Sequence, residues 1–405
     1  MSGVLNGIRI LDTTIWQLGP TATMMLADLG AEVIKVEQRL IGDPGRGYKR
    51  LRGQSIELPD GRSAYFEHLN RNKKSIALDL TKEAGKMVLY RLVAKCDVFV
   101  QNFRPSVAKR LRLDYHTLSK YNPKLVYGSG SGFGLKGPDS GQRAFDALGQ
   151  ARSGIMTAAA SEPGMPPVSI AGGIADAMGG VMLAYSVLAA LVARERLGIG
   201  QEVDASHLGS MIWLQNLNVA LVLSVGREVA RHGRAKAFNP LYNSYQCSDG
   251  KWLQLGHLQP DRYWAPFCRA LGIEELTDDP RFKNMDIRGE HSEELVTYLD
   301  RIFATQTREE WMKICRDANL IYSPVNTVED LPNDPQVLAN NYITDFDHPT
   351  LGKIKVVDIA VHLSKTPGVI RAPAPEYAQH TEEVLLEIGG YSWEEIATLK
   401  EQEVI

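Results

Sequence analysis

The first 130 residues alternate between short β-like runs and helical segments, and few features restrict a fold more tightly. Ile8-Arg-Ile-Leu-Asp12 reads as a strand, residues 20–29 as a helix opened by Pro20 and closed by Gly30, and Ala31-Glu-Val-Ile-Lys-Val-Glu37 as a second strand. The rhythm continues with strands over 75–80, 97–101 and 124–128 and helices over 83–95 and 115–121. Strands joined through helices pair in parallel, because a tight hairpin cannot connect parallel neighbours. The pattern therefore predicts an α/β fold with a doubly wound parallel sheet.

This pattern ends before the middle of the chain. Residues 1–225 read as the first part of a large domain, and residues 226–238 as a linker, polar and basic through Arg227, Arg231, His232, Arg234 and Lys236. Residues 239–325 read as a smaller α+β domain, with a hairpin centred on Asp249-Gly250 and helices near 261–271, 293–304 and 308–318. Residues 326–405 are expected to return to the large domain and complete it. Tyr242, Tyr245, Trp252, Tyr263 and Trp264 make the smaller domain locally aromatic, a pattern that suits either core packing or an aryl acid.

Composition removes several function classes. A formal net charge of −3 over 405 residues offers no polyanion-binding surface, so nucleic acid is not an expected partner. The four cysteines, Cys96, Cys247, Cys268 and Cys315, are far apart and form no CxxC pair, which argues against a disulfide framework or a metal site. The N-terminus has no basic segment followed by an apolar core, and the longest apolar stretch, residues 179–193, is shorter than a bilayer span of about 20 residues. A cytoplasmic protein without a membrane partner is the expectation.

Common cofactor motifs are missing as well. The turn after the first strand, Thr13-Thr-Ile-Trp-Gln-Leu-Gly-Pro20, holds one glycine and not the GxGxxG that seats a dinucleotide, and no Walker lysine, GxSxG or HExxH occurs. What stands out is Asp176, a lone carboxylate in Ala171-Gly-Gly-Ile-Ala-Asp-Ala-Met-Gly-Gly180, followed by an apolar stretch with no further charge until Arg194. Glycines admit close approach, and a helix N-terminus favours an anion, so this carboxylate suits a nucleophile; the plain alternative is an N-cap. Polar sequences recur near the strand ends, at Gln17-Leu18, Asn70-Arg-Asn-Lys-Lys74, Asn102-Phe-Arg-Pro105 with Arg110, and Arg143-Ala-Phe-Asp146. The cations among them would suit a ligand bearing several phosphates.

These segments also carry a resemblance. Leu5-Asn-Gly-Ile-Arg-Ile-Leu-Asp12, Gly19-Pro20, Leu26-Ala-Asp-Leu-Gly-Ala-Glu-Val-Ile-Lys-Val-Glu37, Asn70-Arg-Asn-Lys-Lys-Ser-Ile-Ala-Leu-Asp79, Asn102-Phe-Arg-Pro105 and Gly132-Phe-Gly134 are similar to the class III coenzyme A transferases. That family includes formyl-CoA and carnitine CoA transferases and the related α-methylacyl-CoA racemases. The likeness runs to Gln379-His-Thr-Glu-Glu-Val-Leu385, which resembles the family's closing helix.

The resemblance implies a Rossmann-like large domain, a smaller α+β domain and an interlocked ring dimer, either a homodimer or a heterodimer with a related subunit. It places the catalytic aspartate at Asp176 and an amide near the reacting thioester at Gln17. It implies coenzyme A contacts at Leu18, Gln38, Leu78, Asp79, Leu80, Thr81, Asn102, Phe103, Arg104, Arg110, Arg143, Ala144, Phe145 and Asp146. Coenzyme A enters as a thioester substrate, with no prosthetic group. Related racemases have a catalytic histidine immediately before the aspartate of the Phe145-Asp146 motif; phenylalanine cannot carry a proton, which favours CoA transfer over racemisation. The expected reaction moves CoA from a donor such as succinyl-CoA to an organic acid, aryl or dicarboxylic, with Gln17 and backbone amides around 177–179 as oxyanion donors. The alternatives are a racemase-like enzyme and a silent CoA-binding subunit.

Overall fold

The computed structural model describes residues 3–228 and 230–405. Two compact units emerge, one made of residues 1–156, 169–220 and 340–405, the other of residues 157–168 and 221–339.

The first unit is built on six parallel strands, β1 (Arg9–Asp12), β2 (Glu32–Gln38), β3 (Lys73–Leu78), β4 (Val98–Gln101), β5 (Val126–Ser131) and β6 (Gln201–Ser206). Their order is β3-β2-β1-β4-β5-β6, so the chain switches direction of travel across the sheet between β1 and β4. Successive strand residues point to opposite faces. Accordingly Ile10, Val33, Val98 and Val100 join one apolar cluster, while Leu11, Ile34 and Phe99 join the other. The first cluster is completed by helices α1 (Leu18–Asp28) and α4 (Ile174–Leu197), the second by the helix Glu83–Val93 and the C-terminal helices Thr381–Glu387 and Trp393–Glu401. Three shorter helices shape the site: α2 (Ala64–Asn70), α3 (Asp146–Ser153) and α5 (His207–Leu214). A mixed α/β architecture with a central parallel sheet thus follows the alternation seen in the sequence.

Helix α4 extends the apolar stretch by a turn and a half at its N-terminal side and runs for 24 residues. It is long and apolar enough to cross a membrane, yet Gly179, Gly180, Leu183, Ala184, Val187 and Ala190 are buried within the protein.

The second unit contains an antiparallel sheet in which Trp252–Leu255 lies between Ser244–Gln246 and Tyr322–Val325. Gly250, at φ +75°, makes the hairpin turn. Tyr245 and Trp264 are fully covered in its apolar core, with Tyr263 packed against them, so packing accounts for most of the aromatic cluster. Arg234, from the segment expected as a linker, forms a two-pronged ion pair with Asp300 and accepts a hydrogen bond from Asn243 on its carbonyl, which makes it part of this unit.

Candidate active site

The turn after β1 lies on a floor of buried charge. Asp12, with no exposed surface, accepts hydrogen bonds from the Thr14 amide (2.8 Å), the Thr23 hydroxyl (2.7 Å) and the Lys73 ammonium (3.1 Å). Lys35, its register partner on β2, donates to the Thr14 carbonyl (2.8 Å) and pairs with Asp43 (2.8 Å), whose carboxylate also receives the Trp16 amide (3.3 Å). Asn102, at the end of β4, clamps the Ile15 amide (3.0 Å) and carbonyl (2.7 Å). Burial alone would raise the Asp12 carboxyl, but Lys73, Lys35 and the two threonine hydroxyls outweigh it and hold the group below its ordinary value. Burial likewise pushes the Lys73 ammonium down to about 8, although Asp12 opposes the fall.

So held, the turn adopts a conformation it would not choose. Trp16 sits at φ +65°, a left-handed geometry that costs a bulky residue about 1–3 kcal/mol. The Gln17 amide reaches the Gly172 and Gly173 carbonyls, both at a long 3.4 Å. Gly173 has φ +67°, and a Cβ there would stand 2.4 Å from the Gln17 amide oxygen.

Asp176 lies in the first turn of α4, three residues past that glycine. It is not the cap. That role belongs to Asp146 at the start of α3, whose carboxylate accepts from the Ala175 amide (2.6 Å) and more weakly from the Asp176 amide (3.3 Å). Gln150 secures Asp146 (2.6 Å) and bonds both ends of Ile170, fixing the approach to the helix. The glycines on the far side of Asp176 serve helix packing: a Cβ on Gly179 would meet Leu18 at 2.6 Å, and one on Gly180 would meet Thr21 at 2.6 Å. Ala177 donates to the Gly173 carbonyl (2.8 Å), and the amides after it lie inside the helical ladder, so the amides around 177–179 are not free to serve as oxyanion donors.

One side chain that contacts the carboxylate was not anticipated. His207, at the junction of β6 and α5, places Nε2 2.8 Å from Asp176 Oδ1. Its Nδ1 is buried without a hydrogen-bond partner among the described residues, and an ionised carboxylate only accepts, so the ring meets it through an Nε2–H that donates. A Cβ on Gly149 would lie 2.4 Å from the His207 Cβ, so glycine at that position of α3 lets the ring sit there. The end of a parallel strand is where ligands bind such sheets, and that rule would have pointed to His207 once Gln201–Ser206 was read as a strand.

Asp176, Gln17, Phe145 and Asp146 line one cavity of about 750 Å³. Trp16 makes edge contacts there with Tyr48, Tyr65 and Phe145 at ring separations of 5.9, 6.5 and 5.9 Å, giving the cavity an aromatic wall. Burial, reinforced by the negative charges of Asp176 and Asp43, drives the Tyr65 phenol well above its ordinary range, so it keeps its proton.

The other expected coenzyme contacts lie outside that lining. Leu18 is buried against Gly179, and Leu78 is wholly within the core. Phe103 and Leu80 pack at the edge of the same core. Gln38 accepts hydrogen bonds from the Leu40 and Ile41 amides of its own turn, and Asp79 does the same for Thr81. Ala144 touches Gly132, where a Cβ would stand only 2.2 Å away. Arg104, Arg110 and Arg143 are exposed and form no ion pair among the described residues. The basic run 70–74 behaves differently from expectation, because Arg71 is tied to Asp28 (2.7 Å), Lys73 to Asp12, and Lys74 to Glu32 (3.0 Å) and Glu383 (2.8 Å). Arg71 and Lys74 sit at the N-terminal end of β3, away from the strand ends that face the site, and Lys73 reaches it only as a buried partner of Asp12. Among the described residues, no cluster of three His, Cys, Asp or Glu side chains could hold a metal ion.

Comparison with known proteins identifies the family and the fold. The family model for CoA-transferase family III matches residues 5–381. An acyl-CoA transferase of Fusarium pseudograminearum is 36% identical, with 100% of this chain and 88% of that protein covered. The succinyl-CoA:glutarate CoA-transferase of Mus musculus is 34% identical over 96% of this chain and 87% of its own length. The crystal structure of a CAIB/BAIF family protein from Brucella suis superposes with a TM-score of 0.84 at 28% identity, covering 96% of this chain and all of that one.

Proposed function

The chain belongs to CoA-transferase family III, and from that premise we propose that it transfers coenzyme A between carboxylic acids through covalent intermediates on Asp176. The observation that carries the proposal is the carboxylate itself, on the wall of a cavity, in the first turn of a long helix and held at one oxygen by His207. With Oδ1 occupied, Oδ2 is left to attack. Asp176 adds to the thioester carbonyl of the donor, the carbon–sulfur bond breaks, and CoA leaves as thiolate from a mixed anhydride. The thiolate then attacks the aspartyl carbonyl, expelling the donor acid as carboxylate and leaving an aspartyl-CoA thioester. The acceptor carboxylate attacks that thioester, releasing thiolate again, and attack of the thiolate on the acceptor's acyl carbon gives the new acyl-CoA and restores Asp176.

Each attack creates an oxyanion. Gln17, whose present hydrogen bonds are long, and the Tyr65 phenol are neutral donors on the same cavity wall that can stabilise it. Arg104, Arg110 and Arg143 bind the coenzyme's phosphates. Succinyl-CoA is the donor we assign, by analogy with the murine relative. Racemisation is disfavoured: His207 and Asp176 are in contact, whereas that reaction needs two groups on opposite faces of the α-carbon.

A second copy of the chain completes the enzyme in this proposal. Leu217, Leu223 and Val225 are 69%, 82% and 58% exposed on the helix Asn216–Val225, which buries no residue. Exposed apolar side chains concentrated on one helix are commonly covered in stable assemblies. The free, buried cysteines suit a reducing compartment, the cytoplasm.

The decisive experiment is peptide mass spectrometry after incubation with succinyl-CoA. A CoA adduct on Asp176 is expected. Absence of any covalent CoA on an active enzyme would overturn the mechanism, and rapid α-proton exchange in deuterium oxide without transfer would favour a racemase.

A further inference from the structure

Behind α2 lies a second cavity, of about 310 Å³, that the chemistry above does not use. Its far wall is the hairpin formed by Ile343–His348 and Gly352–Val357, which contributes Phe346, Ile354 and Val356. Phe346 and Ile354 are directly opposed across the hairpin, and Val356 follows two residues later on the same face. Charged groups at this cavity are already engaged. Arg71 is held by Asp28, and His348 donates to Glu67 while accepting the Thr350 and Leu351 amides. What the cavity offers a ligand is apolar surface.

The two cavities share a wall. Ala64 and His68, one helical turn apart on α2, line both, whereas Tyr65 and Leu69 line only the Asp176 cavity and Glu67 and Arg71 only the second. The partition between them is therefore a ridge of one methyl group and one imidazole. His68 makes no hydrogen bond among the described residues. His68 is exposed along the two cavities, yet the surrounding protein and the nearby Arg71 charge hold its pKa below the ordinary value, which favours the uncharged ring and suits hydrocarbon lying across it.

We propose that the acyl-binding cavity continues over the Ala64–His68 ridge, and that the second cavity takes the apolar tail of a carboxylic acid or acyl-CoA too long for the first. This inference rests on the transferase reading and adds a substrate class to it, acids with an extended hydrocarbon body.

The test uses the intact enzyme, succinyl-CoA as donor and straight-chain monocarboxylic acids from butanoate to tetradecanoate as acceptors. In the unaltered enzyme, kcat/KM is expected to rise about fourfold per methylene once the chain passes the ridge. Val356→Trp, which fills the second cavity and does not line the first, should abolish that rise while short acids keep their rate within about twofold. Ile354→Phe gives an independent filling should Val356→Trp fail to fold, and His68→Trp, by raising the ridge, should remove the long acids. Identical chain-length profiles in the unaltered and filled enzymes would overturn the inference, as would rejection of every long acid by the unaltered enzyme. Those outcomes leave the transferase reading intact if short acids still receive CoA. Failure of every acid, with no adduct on Asp176, would overturn both.

Discussion

The floor of the site and its rim use charge in opposite ways. Below the turn 12–17, Asp12, Lys35, Lys73 and Asp43 are almost wholly buried, and each is paired with an opposite charge. Arg104, Arg110 and Arg143, which the proposed function makes the rim, are exposed and enter no ion pair among the described residues. Paired buried charge costs desolvation and returns fixed geometry; unpaired exposed charge costs almost nothing and remains available to a ligand. In the proposed mechanism the first kind positions the chemistry and the second recruits the substrate.

The largest effect should come from the group that the floor serves. Asp176→Asn should lower CoA transfer by at least about a thousandfold while leaving coenzyme binding near normal, measured by turnover and by titration calorimetry. Removing a member of the floor should act on stability first. Asp12→Asn leaves the Lys73 ammonium without its carboxylate, and a loss of about 3–5 kcal/mol in urea unfolding is expected. If that variant were as stable as the parent, the distinction between floor and rim would break.

The same floor sets the acid limit. Asp12 and Glu37 are held below their ordinary 3.8 and 4.5, with Arg46, Lys35 and Ser75 overcoming burial at Glu37. A carboxylate depressed in the folded state contributes stability that is complete above its unfolded value and lost as pH falls through the folded one. Stability should therefore decline from about pH 4.5 downward, and Asp12→Asn should flatten the part of that decline below 3.8, as followed by circular dichroism.

His207→Leu removes one donor from the nucleophile and should lower kcat by about 10- to 100-fold with the donor KM little changed; His207→Gln, which keeps an N–H, should recover part of the loss. The rim gives the smallest effect. Arg104→Ala, Arg110→Ala or Arg143→Ala should each raise the KM for acyl-CoA by about 3- to 10-fold at low salt, with kcat within about twofold and the difference shrinking as salt is added. A rim substitution that instead lowered kcat would show that these arginines also position the chemistry.

The contrast also explains what could be read from the sequence. Strand alternation was visible because each strand feeds two apolar faces, and Asp176 was visible because no other charge lies between it and Arg194. The floor was hidden for a physical reason. Lys35 and Lys73 look like surface cations within strands, and only the pairing of β1, β2 and β3 brings them to Asp12 and Asp43. The run 70–74 looked like a phosphate site for the same reason, since a cation's burial depends on residues distant in sequence. Tyr48 comes from an irregular segment and Tyr65 from a helix of only seven residues, too short for a periodicity that would mark a wall, and His207 lies 31 residues beyond its carboxylate.

Gly179 and Gly180 carry a consequence for the history open to this chain. They let α1 and α4 touch almost backbone to backbone beside Asp176, with Leu18 and Thr21 occupying the space any side chain would need. A side chain at Gly180 would meet Thr21 and the Leu18 carbonyl and wedge the helices apart, while one at Gly179 would have to displace the Leu18 side chain. No intermediate step makes such a change neutral, because the compensating loss of bulk at Leu18 or Thr21 would first open a void. This contact therefore leaves less room for side-chain change than the exposed arginines do.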